Sequence, residues 1–230
     1  MDASASSSAA SGSGRPLVRL FDPRRRRFTL LLAALALLLL LSPVLEGTAA
    51  GSFLLTVLFT LVLLAAVLAA SGRRATLGIA LGLAVPWVYL SWLHPQWRGD
   101  ATDLLASLLL VCLGLFVLGL VLVRVVRAER VGSDILCGAL AVYLLIAVVW
   151  AVCYGIIEAL APGSFGLSTE DSEKIWNQLL YFSLVTLTTL GYGDISPVGA
   201  VARIWAALES LTGTLYLAIL ISRLVSLYQR

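Results

Sequence analysis

Long, uninterrupted apolar blocks constrain this chain more than any other feature. Phe28–Leu45, Ser52–Ala70, Thr76–Leu93, Leu104–Val126, Gly132–Leu160 and Val198–Leu227 are parted by short connectors that carry Arg, Gly or Pro. Each runs close to or beyond the ~20 residues that an α-helix needs to cross about 30 Å of hydrocarbon. In hydrocarbon every backbone N–H and C=O must find its partner within the protein, so such blocks fold as helices. With 60% of residues hydrophobic and only 13% charged, there is too little polar surface to clad a soluble domain. The expected fold class is an all-α integral membrane protein with six transmembrane helices.

The charges then orient the chain. The net charge is +3, but the arginines gather at block ends rather than on one basic face, which excludes a nucleic-acid partner and reads as topology. Arg24–Arg27, Arg73, Arg74, Arg124, Arg127, Arg130, Arg223 and Arg230 fall on one side of six crossings, while Glu46, Asp100, Asp103, Glu158, Glu170, Asp171 and Glu173 fall on the other. By the positive-inside rule both termini are cytoplasmic in a multi-pass protein of the cell membrane. Trp87, Tyr89, Trp92 and Trp97 are then expected at the outer interface, and His94 in an exposed loop. Residues 1–27 are expected to be a disordered, basic cytoplasmic segment, and Phe28–Leu41 a membrane span rather than the apolar part of a signal peptide. Cys112, Cys137 and Cys153 lie inside apolar blocks at no ligand or disulfide spacing; they read as small apolar side chains. No residue pattern suggests an enzyme, and no cofactor is expected.

One apolar segment is too short to cross. Ile175–Leu190 ends in Gly191-Tyr192-Gly193-Asp194, so it is expected to dip into the membrane from outside and return. A ring of backbone carbonyls can replace the water shell of a cation without burying a net charge. Consecutive carbonyls face one side only when alternate residues leave ordinary φ/ψ space, which Gly191 and Gly193 do at little steric cost. Tyr192, between them, is placed to turn its ring away from the axis and brace the loop.

Thr188-Thr189-Leu190-Gly191-Tyr192-Gly193-Asp194 resembles the selectivity filter of the potassium channel superfamily, and with the flanking helices the resemblance covers roughly residues 132–230. The resemblance implies a potassium-selective channel subunit with K+ held by the carbonyls of Thr189, Leu190, Gly191 and Tyr192 and by the Thr189 hydroxyl, with Gly193 completing the filter. It implies a pore helix over 172–188, a filter over 189–194 and a homotetramer in membrane lipid, since one chain holds one filter. Potassium is then the permeant ligand, not a cofactor. Filter support is expected from Asp194 at the outer mouth, from the aromatic pair Tyr181 and Phe182, from Thr188, and from Val185, whose place an acidic residue takes in some members.

The remaining signals concern gating. Gly213 and Glu209 lie four apart on one face of the last helix. Gly213 reads either as a hinge or as a site of close helix packing. A carboxyl deep in a span must face protein or water, so Glu209 is expected to bond behind the pore helix, to Thr186 or Thr188, or else to titrate as a switch. Arg124, Arg127 and Arg130 repeat at voltage-sensor spacing, yet Leu104–Val123, the membrane-embedded part, carries no charge at all. They are expected to anchor the helix rather than sense voltage. The organisation expected is a four-helix membrane domain over 28–130 and a pore domain over 131–230, with a separate regulatory chain a possible partner.

Overall fold

The structure is a computed structural model in which residues 27–45, 49–70, 74–93, 100–128, 132–167 and 172–228 are described. Residues 1–26, His94, Trp97 and Arg130 lie outside the described residues. The described chain is helical, with no strand: α1 (Arg27–Leu45), α2 (Ala49–Ala70), α3 (Arg74–Val88), α4 (Asp100–Val126), α5 (Ser133–Leu160), α6 (Ser172–Leu187) and α7 (Ala200–Tyr228). The helices follow the apolar blocks, their ends displaced by about a turn at most. Among the described residues, α1, α4, α5 and α7 are long and apolar enough to cross a membrane, while α2 and α3 supply shorter apolar stretches, Val57–Val67 and Ala75–Ser91. Pro86 stands inside α3, and the helix continues as a π turn over Tyr89–Leu93. A proline removes one i→i−4 donor, so a change of winding at this point has a local cause.

α5 is the axis of the packing, touching α1, α4, α6 and α7. Its buried side includes Gly138, Ala139, Ala141, Ala147 and Ala151. Small residues of this kind let neighbouring backbones come close, which is the main source of helix affinity where lipid is as apolar as the core. One continuous apolar cluster runs from Phe28, Leu31 and Leu35 on α1 through Val117 and Val121 on α4 to Val142 and Leu145 on α5, and on to Leu187. The first four helices are therefore not packed apart from the last three.

Two polar contacts dock α1 on this frame. The Asp134 carboxylate, in the first turn of α5, accepts from the Phe28 N–H at 3.1 Å, the Thr29 N–H at 3.0 Å and the Thr29 hydroxyl at 3.0 Å. The orphan amides of the α1 start are thus capped by a residue from another helix, and the acid suits the positive helix end. At the other end of α1, Ser42 bonds the side chain of Asn177 on α6.

Trp87, expected at the outer interface, is buried against other helices of the chain. It is 6% exposed and packs edge-on against Phe59 at 5.9 Å, and Phe59 meets Trp176 of α6 at 6.4 Å. Tyr89, by contrast, is exposed. A tryptophan's large apolar area wins more by burial against other rings than by half-wetting at a headgroup when a partner helix is within reach.

Candidate functional site

The site is built between α5 and α7. α5 ends in a turn with two left-handed glycines, Gly163 at φ +82° and Gly166 at φ +57°. Glu158, in the last turn of α5, fastens it by accepting from the N–H of Gly163 at 2.6 Å and of Phe165 at 3.2 Å. The Ser164 carbonyl then accepts from Val198 and Gly199 just before α7, at 2.8 and 3.2 Å. The turn delivers Phe165, fully buried, into a three-ring cluster with Tyr154 of α5 and Phe182 of α6, with centroids 5.0–5.4 Å apart. Ring pairs at this separation add about 0.5–1.5 kcal/mol beyond their area burial. They fix α6 against α5 and the turn that follows it.

α6 ends at Leu187, and its last carbonyls are all in use. The Thr188 hydroxyl donates to Leu184 at 2.7 Å, the Thr189 N–H to Thr186 at 3.0 Å, and the Leu190 and Gly191 N–H groups to Val185 at 2.9 and 3.4 Å. The chain then adopts positive φ at every second residue: Thr189 at +58°, Gly191 at +57° and Gly193 at +81°. Alternation of this kind turns successive carbonyls of a short strip to one side. Two of the three positions are glycine, where the conformation is free of steric cost. Thr189 is β-branched, and holding it there costs on the order of 1–3 kcal/mol, a strain that marks functional backbone.

Beyond the strip, the Tyr181 hydroxyl donates to the Asp194 carboxylate at 2.8 Å. This bond is the main reason why the Asp194 carboxyl is held below the usual carboxylate range. The brace on Asp194 thus comes from Tyr181, four residues before the position at which an acid was considered. Val185 is buried and contributes its carbonyl. Phe182 faces the ring cluster. Leu190 and Tyr192 are 55% and 69% exposed in the single chain, so among the described residues no neighbour covers most of Tyr192.

Behind the strip, α7 presents Ala202, Ala206, Glu209 and Gly213 to the interior. Glu209 is fully buried and bonds the hydroxyls of Tyr154 on α5 and Ser183 on α6. Thr186 and Thr188, expected as its partners, are not; Thr188 bonds the carbonyls of its own helix instead. A Cβ on Gly213 would lie 2.2 Å from the Leu187 carbonyl oxygen and 2.9 Å from its Cδ1. The glycine is there because the end of α6 rests on the backbone of α7. The Tyr143 hydroxyl also donates to that carbonyl, at 3.1 Å, and its ring stacks on Tyr216, whose hydroxyl reaches the Ala139 carbonyl at 2.7 Å.

Around the expected strip and the two α7 residues stand Tyr143, Tyr154 and Ser183, which the sequence did not single out, and Glu158, expected only as an outer-side acid. Tyr154 and Ser183 had one usable signal, a polar tip within an otherwise apolar block.

Two membrane-length helices, α5 and α7, are thus joined by a short helix and a strip of alternating backbone handedness. The ion channel family model matches residues 138–230, from within α5 through α6, the strip and α7. The chain is 33% identical over 86 residues to the inward rectifier potassium channel Kirbac3.1 of Paramagnetospirillum magnetotacticum, covering 37% of this chain and 25% of that one. It is 32% identical over 107 residues to protein LctB of Bacillus caldotenax, covering 45% of this chain and 79% of that one. It is 38% identical over 68 residues to the two pore potassium channel c of Oryza sativa subsp. japonica, covering 30% of this chain and 15% of that one. Over residues 138–230 this chain belongs to the ion channel family.

Proposed function

We propose that the protein is one subunit of a homotetrameric channel that passes K+ passively across the cell membrane, with potassium bound by the carbonyls of Thr189, Leu190, Gly191 and Tyr192. The observation that carries this reading is the alternation of positive φ at Thr189, Gly191 and Gly193. It readies one strip of carbonyls at the C-terminal end of α6, where the helix dipole adds partial negative charge that favours a cation. One strip coordinates from one side only, and four strips around an axis close the shell.

The bare face of α7 supports the assembly. Val201, Ile204, Leu208, Leu211, Leu215 and Ile219 are all exposed and form one stripe at helical spacing, opposite the stripe of Ala202, Ala206, Glu209 and Gly213. Neighbouring subunits and the ion path would share that face. In this reading α1 to α5 and α7 make six crossings, α6 re-enters from outside with the filter, and both termini lie in the cytoplasm. Tyr192 gains its covering from the next subunit, and Asp194, steadied by Tyr181, stands at the outer mouth.

The test is ion flux from the purified protein in liposomes, together with the mass of the detergent-solubilised complex. A complex of four chains that releases K+, and ceases to do so in Gly191→Ala, is the expected result. An absence of flux, or flux that survives the substitution, would sink the proposal.

A further inference from the structure

Glu209 occupies the place where a charge is most expensive: it is fully buried in a helix long and apolar enough to cross a membrane. An ionised carboxylate there demands a cation or several donors. Among the described residues its hydrogen-bond partners are two hydroxyls, of Tyr154 and Ser183. The other titratable groups beside it are the Cys153 thiol and the Tyr143 phenol, both on α5 and both uncharged in ordinary conditions.

Counting protons settles how this cluster is joined. The Ser183 Oγ has one proton but two oxygen neighbours, Glu209 Oε1 and the Ala147 carbonyl at 2.8 Å. The Ala147 carbonyl can only accept. If Glu209 were ionised, Oε1 could also only accept, and one of the two close oxygen contacts would hold no proton. If Glu209 carries a proton on Oε1, that proton goes to Ser183 Oγ, the Ser183 proton goes to Ala147, and the Tyr154 proton goes to Oε2. Three protons then fill three bonds.

From this geometry we infer that Glu209 is a neutral carboxylic acid and a positioning residue for the filter, linking α5, α6 and α7 through the directed chain Tyr154, Glu209, Ser183, Ala147. Its effect on conduction rests on the channel reading above; its protonation and its tie do not. Ser183 lies on α6 six residues before Thr189, so the chain holds the helix that carries the filter to the helix that moves if α7 opens. Fully joined polar networks specify one arrangement of their elements, whereas a broken one leaves buried groups unpaired.

Glutamine is the discriminating substitution, because its amide repeats the pattern: the carbonyl accepts from Tyr154 and the NH2 donates to Ser183. The infrared spectrum of the purified wild type is expected to show the C=O stretch of a protonated carboxyl that is absent from Glu209→Gln. Glu209→Gln is expected to keep the wild-type melting temperature and K+ over Na+ selectivity. Glu209→Leu, similar in size but mute, is expected to melt lower and to lose about tenfold in selectivity, the scale set by leaving a buried hydroxyl unpaired. A spectrum without the protonated band, or a glutamine variant that behaves like the leucine one, would overturn the inference. The band and the melting contrast need no flux, so a wild type that fails to conduct counts against the channel alone.

Discussion

Replacing Gly213 by alanine puts the packing of α6 on α7 to a direct test. The new Cβ would stand 2.2 Å from the Leu187 carbonyl oxygen, about 1 Å inside the ~3.3 Å at which carbon and carbonyl oxygen ordinarily meet. The obstacle is backbone, which cannot swing aside as a side chain can, so either α7 or the last turn of α6 must move. An ordinary helical Gly→Ala change gains up to about 1 kcal/mol from propensity. Here overpacking costs about 1–3 kcal/mol, and loss of the Tyr143 bond to the same carbonyl adds about 1 kcal/mol. The net expectation is a destabilisation of about 1–3 kcal/mol, read as a lower melting temperature in detergent. Leu187 is two residues from Thr189, so the shift reaches the strip, and K+ over Na+ selectivity falls with it. A Gly213→Ala protein that melts higher than wild type and keeps its selectivity would refute the reasoning and return the residue to the role of a hinge.

Two further outcomes follow from contacts at the rim and at the start of α1. The Tyr181 hydroxyl favours the ionised form of Asp194, so its stabilising effect is present above the carboxyl's unfolded value and is lost as pH falls through the lower folded one. In Tyr181→Phe the loss of K+ current on external acidification is expected to set in at higher pH than in wild type; an unchanged acid profile would contradict the brace. Asp134→Ala removes three hydrogen bonds from the start of α1 and is expected to cost about 1–2 kcal/mol, the upper range for a helix cap. Denaturant unfolding in micelles checks this, and unchanged stability would mean that α1 is held by its apolar face alone.

What was legible in the sequence depended on whether a pattern had one physical solution or two. An apolar run of membrane length has one, so the helices lie where Phe28–Leu45 or Gly132–Leu160 put them. Gly191 and Gly193 marked backbone of unusual handedness, although Thr189, which shares it, is of a type that argues against positive φ. Only its place two residues before Gly191 hinted otherwise. Trp87 was expected at the outer interface on composition alone, and its burial against Phe59 on a neighbouring helix is a tertiary fact. Gly213 had two solutions, hinge or packing, and the approach of Leu187 favours packing. The partners of Glu209 were out of reach, because Tyr154 and Ser183 lie 55 and 26 residues away and meet it only through the packing of three helices. The docking of α1 on α5 is likewise a tertiary fact, since Asp134 caps a helix more than 100 residues earlier.

In the proposed channel the strip from Thr189 to Gly193, repeated around an axis, selects potassium. The reversal potential of the purified protein in a planar bilayer, with K+ on one side and Na+ on the other, tests it most directly. A reversal potential close to the potassium equilibrium value, collapsing in Gly191→Ala, is expected. A reversal potential near zero, with wild-type protein passing both ions alike, would contradict it.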